Sequence, residues 1–184
     1  MNWWLIALVI VVVLVFAWYL STTAGRLDRL HRRIETSTFA LDAQLLRRSS
    51  VAIELSVAEV LDPASSELIA ETAHDARQSI DADVMQRIAA ESALSEVLMQ
   101  ALDDVDEVNL LREDPLAADL LDELSASIRR VELCRRFLND AVLACGQIHE
   151  HRLVRWFRLA GHTPVPTTWE MDDRPPQGLG IIGS

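Results

Sequence analysis

Residues 3–20 contain no charged side chain, and the uncharged stretch continues to Gly25. At ~1.5 Å per helical residue, about 20 residues cover the ~30 Å hydrocarbon thickness of a bilayer. Leu, Ile and Val fill the middle of the stretch, while Trp3, Trp4, Trp18 and Tyr19 mark its ends. Aromatic rings are expected there, where an apolar body meets wet headgroups. A cleaved secretory signal is the competing reading. It needs a basic start, whereas only Met1-Asn2 precedes the run, and Thr22-Thr23-Ala24 matches a small-x-small cleavage site poorly. We therefore expect an uncleaved anchor over 1–25, meeting the lipid bilayer through residues 3–24.

The flanks set an orientation. Arg26, Arg29, Arg32 and Arg33 follow the span, and no basic side chain precedes it. The positive-inside rule then places the bulk of the chain in the cytoplasm and the short N-terminus outside, a single-pass protein of the cell membrane. The same arginines can hold anionic headgroups at about 1 kcal/mol each, although a topology signal accounts for them without that role.

Composition narrows the remaining 159 or so residues. The chain has 184 residues, 50% apolar and 24% charged, which suits neither a polytopic membrane protein nor a disordered tail. Six Gly and six Pro are too few for the turns of a sandwich or barrel. The net charge of −11 excludes a general nucleic-acid binder, which needs a basic footprint, and all 17 bases are Arg. Two cysteines do not make a disulfide scaffold.

Helical periodicity runs through the rest. From Leu27 a stripe in steps of three and four passes Leu30, Ile34, Ser37, Leu41, Gln44, Arg48, Val51, Leu55 and Ala58, with no Gly or Pro to break it. Asp62-Pro63 reads as an N-cap followed by proline at the first helical position. A helix over about 63–78 follows, with Leu68, Ile69 and Thr72 inward. A third segment covers about 82–111, with Val84, Ile88, Leu94, Leu98, Leu102 and Val105 inward. Asp114-Pro115 repeats the signature and opens what reads as the longest helix, with Leu120, Leu124, Ser127, Val131, Cys134, Leu138, Ala141, Cys145 and Ile148 on its inner stripe. Gly161 and the prolines at 164 and 166 end regular structure, leaving 162–184 as a flexible tail. The expected fold is all-α: an N-terminal transmembrane helix, then an elongated antiparallel bundle of three to four long helices over 26–161.

Charge is segregated. Residues 54–123 carry 19 acids and three arginines, whereas 26–48 carry six arginines against three acids and 124–158 seven against three. Acidic middle helices can thus sit beside basic outer ones, although an exposed pair contributes only about 0–1 kcal/mol.

Few residues suggest chemistry. His149 and His151 are two apart, so on a helix they point about 200° apart and cannot share an ion. Asp103, Asp104, Asp106 and Glu107 resemble a cation loop, but Val108 and Asn109 stand where such a loop needs an oxygen ligand and a glycine. Cys134 and Cys145 lie eleven residues apart on one helix, ~16 Å, too far for a disulfide. Arg152, Arg155 and Arg158, interleaved with Leu153, Trp156 and Phe157, form a basic amphipathic end that suits either a membrane surface or a helix terminus. No catalytic, cofactor-binding or metal-binding set emerges. The notable positions are Gln44 and Arg48, polar members of an inward stripe, for which Asn139 or Asp140 of the last helix are candidate partners. They read as an internal polar layer or as a groove where a partner docks.

Several of these segments resemble one family in order. Leu41-Asp-Ala-Gln-Leu-Leu-Arg-Arg48 is similar to the I-D-V-Q-L-K-R-R of the LemA family, Ala90-Glu91-Ser-Ala-Leu94-Ser95 to its A-E-N-x-L-S, and Arg135-Arg136-Phe137-Leu138-Asn139-Asp140-Ala141-Val142 to its R-R-F-Y-N-D-A-V. Trp156-Phe157 and Trp169-Glu170 resemble its F-G-F and terminal F-E elements. The likeness covers about 36–170 and departs from the pattern at Ile53-Glu54, Leu138 and Ile128, as in a divergent member. It implies a single-span protein with a small exterior N-terminus and a bundle of long helices, and no reaction. The expectation is a non-enzymatic scaffold or adaptor for protein partners at the cytoplasmic membrane, open to homo-oligomerisation. The alternatives are a hydrolase holding a divalent metal on the acidic helices and an extracytoplasmic coiled-coil division or envelope protein.

Overall fold

Aspartate punctuates this chain. In a computed structural model, which describes residues 3–149 and 167–180 apart from the side chains of 5, 20, 23, 24, 26, 27, 148 and 149, four successive helices begin on an Asp whose carboxylate accepts two orphan backbone N–H groups. Asp62 opens α2 (Pro63–Gln78), Asp83 opens α3 (Val84–Leu102), Asp104 opens the short α4 (Val105–Leu111), and Asp114 opens α5 (Pro115–His149). Each cap satisfies donors that a helix cannot satisfy itself and places negative charge at the positive end of its dipole. Ahead of them α1 runs from Trp3 to Val57, 55 residues. It ends in a turn whose left-handed residue is Glu59 (φ 57°), where glycine is usual. A 3-10 turn, Ser79–Asp81, joins α2 to α3. The described residues are thus all-helical, without a strand.

The chain divides into two compact units, 1–36 with 139–168 and 37–138 with 169–184. In the first, the large apolar side chains described between Trp3 and Tyr19 all point outward, from 39% exposed at Phe16 to 80% at Trp3. Among the described residues no helix is long and apolar enough to cross a membrane. The uninterrupted described run is 6–19, bounded by Leu5 and Leu20, whose side chains lie outside the description.

The second unit holds the core. Val51 and Leu55 of α1 pack with Ile69 and Ala73 of α2, Leu94, Leu98 and Leu102 of α3, Val108 of α4, and Leu121, Leu124 and Ile128 of α5, all nearly inaccessible to water, and Leu41 and Leu45 are buried as well. Contacts at Asp42–Arg87 and Arg48–Glu91 rise together along both helices, so α1 and α3 run in the same direction, with α2 returning between them.

Four expectations change. α1 rather than α5 is the longest helix. The third segment is two helices, because the Asp104 carboxylate captures the N–H groups of Asp106 and Glu107 and starts a new one. Val84, Val105 and Leu68, expected inward, are exposed. Residues 169–180, expected as part of a flexible tail, form a strap within the second unit, with Trp169, Met171 and Leu179 buried.

The caps predict an acid-side weakness. The Ser65 hydroxyl and backbone N–H hold the Asp62 carboxyl below the usual carboxylate range. A folded-state pKa below the unfolded value of about 4 gives stability that is present above pH 4 and lost as pH falls through the lower folded value. Asp62→Asn keeps an acceptor without the charge. Urea unfolding should therefore show wild type more stable than Asp62→Asn at pH 7, and the gap should narrow as pH falls below about 4.

Candidate functional site

The helix caps use charge at the surface, but the second unit also buries it. Arg48 is 1% exposed and Glu91 2%. Their side chains meet at 2.6 Å, Nη2 to Oε2. Arg48 Nη2 also donates to the Glu91 carbonyl at 2.9 Å, and Nη1 donates to Ser95 Oγ at 2.8 Å. Ser95 Oγ in turn donates to the Glu91 carbonyl at 3.0 Å, closing a small network between α1 and α3. Arg48 Nε has no partner among the described residues. Removing two charges from water costs several kcal/mol per ion, and only a tight pair with added hydrogen bonds offsets that.

A second pair lies beside it. Arg87 Nη1 is 2.9 Å from Asp42 Oδ1, an ion pair whose angle falls short of a hydrogen bond, and the guanidinium lies 5.2 Å from the centroid of the Trp169 ring. The arginine is 8% exposed, so its cation is held between a carboxylate of α1 and an aromatic face of the strap. On α5, Arg135 grips the strap with both arms of its fork: Nε to Asp173 Oδ2 at 2.6 Å and Nη2 to Oδ1 at 2.9 Å. Such bidentate pairs add direction as well as energy. The Asp172 N–H donates to Ser92 Oγ at 3.1 Å, and the Gln177 N–H to Asp103 Oδ1 at 2.9 Å. Trp169, Asp172 and Gln177 thus meet Arg87, Ser92 and Asp103 in sequence, and the strap runs parallel to α3.

Gly178 completes the docking. A Cβ there would strike the Leu102 carbonyl oxygen, and would lie 2.7 Å from Val108 Cγ2 and 2.9 Å from the Asp104 oxygen. Two of these three neighbours are backbone that cannot swing aside.

Between α1, α2 and the start of α3 lies a shallow cleft with a volume of ≈ 10 Å³, lined by Leu45, Leu46, Ser49, Ala76, Arg77, Ile80, Arg87 and Glu91. That is about the room one water needs, far too little for an organic cofactor. Among the described residues no three His, Cys, Asp or Glu side chains are grouped to hold a metal. Of the acidic cluster, Asp104 caps α4 and Asp103 holds the strap. Burial pushes the Cys134 and Cys145 thiols up, which keeps them protonated.

Arg48 is in a polar layer, with Glu91 and Ser95 as its partners, and Asp140 is exposed. Gln44 is half-buried, and its Oε1 has no partner among the described residues. Of the flanking arginines, Arg29, Arg32 and Arg33 are exposed, Arg32 pairs with Asp28 at 2.8 Å, and the Arg26 side chain is outside the description. Residues 150–166, with His151, Arg152, Arg155 and Arg158, are also outside it. Sequence reasoning missed Glu91 although its signal was present. The stripe Ile88, Leu94, Leu98 has a gap at the position three residues after Ile88, and an acid fills it, as Arg48 fills the stripe of α1.

Two measurements follow from these contacts. Arg48→Ala leaves the Glu91 carboxylate buried and uncompensated, and should cost about 3–5 kcal/mol of unfolding free energy. Arg48→Met with Glu91→Leu and Ser95→Ala should recover most of that loss. Gly178→Ala should raise amide exchange across 169–179 while leaving the core of α1 and α3 protected.

No family model, curated protein or solved structure matches this chain.

Proposed function

We propose that this chain is a single-pass membrane protein of LemA type whose cytoplasmic helical bundle works without catalysis, as a scaffold or adaptor for other proteins. The observation that carries the reading is the outward-facing apolar run at the start of α1. Its valines, leucines and isoleucines are more than half exposed, from Ile6 at 53% to Leu14 at 63%. A contiguous apolar surface of this kind is foreign to water and native to lipid. In the sequence the uncharged run covers the 18 residues of 3–20, ~27 Å of helix. The arginines beyond it support the inward orientation of the bundle.

The adaptor reading draws its support from how the bundle uses its polar residues. Arg48, Glu91, Ser95, Arg87, Asp42, Arg135 and Asp173 hold helices and strap to one another. The LemA resemblance is supported by the same contacts. Arg48 belongs to the first resembling segment and Glu91 and Ser95 to the second, while Arg135 and Trp169 belong to the third and last, and these segments bond pairwise.

Membrane attachment is tested by washing membranes at alkaline pH. Wild type should stay in the pellet, and Val12→Arg with Val13→Arg should release the chain; release of wild type would sink the anchor. A photo-reactive residue at exposed Met85 or Leu110 should give discrete protein adducts in intact membranes. Their absence at both positions would sink the adaptor.

A further inference from the structure

We propose that the seat of the strap, between α3 and α5, is a recognition site for an extended acidic-aromatic peptide of a partner protein, now filled in cis by residues 169–178. This rests on the adaptor reading and names the class of partner.

The seat reads its occupant as a peptide-binding module would. An arginine already fixed by a carboxylate, Arg87 on Asp42, offers its free face to an aromatic ring. Four residues further along the strap, Arg135 takes an Asp carboxylate bidentately and reaches the carbonyl of the same Trp at 3.5 Å. Between those two anchors, Ser92 receives one strap N–H, and Asp103 receives another beyond them. The glycine position lies against carbonyl oxygens that exclude any larger residue. Trp169, Asp173 and Gly178 therefore spell a pattern of Trp, then Asp at the fifth residue, then Gly at the tenth.

Nothing in this docking requires the occupant to belong to the same chain. Among the described residues, Ser92 of α3, Asp103 at its end and Arg135 of α5 each meet the strap through a side chain, and no strand ladder or shared helix joins them. Charge complementarity favours a partner over a lipid headgroup or nucleic acid. The site presents two guanidinium groups spaced for one carboxylate and one ring, not a basic field.

The test uses the full chain in detergent and a fluorescent peptide of residues 167–180. A cis strap acts at an effective concentration of the order of mM, so micromolar peptide should barely bind wild type. Trp169→Ala with Asp173→Asn weakens the strap in place and should tighten peptide binding about tenfold or more. Adding Arg135→Ala should cancel that gain, and a scrambled peptide should not show it. The proposal is overturned if amide exchange at 169–180 rises in the double variant but the peptide still fails to bind. It is overturned equally if the strap stays as protected as in wild type, since these two contacts are then not its hold. A wild-type dimer that the double variant abolishes would assign the seat to a second copy and exclude a foreign partner. Membrane photo-adducts report on the adaptor reading separately, so a peptide that binds a chain with no adducts would leave the seat intact and that reading lost.

Discussion

The buried Arg48–Glu91 pair is the constraint around which the second unit is arranged. Two opposite charges, each almost wholly removed from water, tolerate little sliding of one helix along the other. The same register brings Arg87 to Asp42 less than two turns away. Leucine layers above and below, from Leu41 to Leu55 on α1 and from Leu94 to Leu102 on α3, would accept several registers on apolar grounds alone. The ion pairs select one. This explains why charged residues interrupt stripes that are otherwise Leu, Val and Ile.

From that register the rest follows outward. Arg87, fixed by Asp42, faces the Trp169 ring, and Ser92 on α3 and Asp103 at its end receive strap N–H groups further along. The strap then borrows its conformation from the helices it lies on. Asp103 and Asp104, adjacent in sequence, divide the work: one holds the strap, the other starts α4.

Much of this was legible in the residues. Asp62-Pro63 and Asp114-Pro115 marked two helix starts because proline at the first helical position and an Asp cap act locally. The break between α3 and α4 was missed because its signal is an aspartate alone, set in a segment whose hydrophobic period carries on through Val105 and Val108. The strap was missed for a different reason. Pro and Gly at 175, 176, 178 and 180 are the usual composition of a mobile end, yet Gly178 is small because backbone approaches it, a fact about tertiary distance that composition does not carry. Asn139 and Asp140 are the conspicuous polar residues of the last helix and so the natural candidates to pair with Arg48. The acid that pairs with it is hidden in an apolar stripe, where only its incongruity betrays it.

One compositional habit now acquires a physical meaning. Every cation in these contacts is a guanidinium, since the chain contains no lysine. Guanidinium keeps its proton far beyond the range in which ammonium gives it up. Each of these contacts is therefore built on a planar fork of several donors, not on a compact ammonium. Amine-directed reagents and acetyl-transfer chemistry also find no side-chain target anywhere along the bundle.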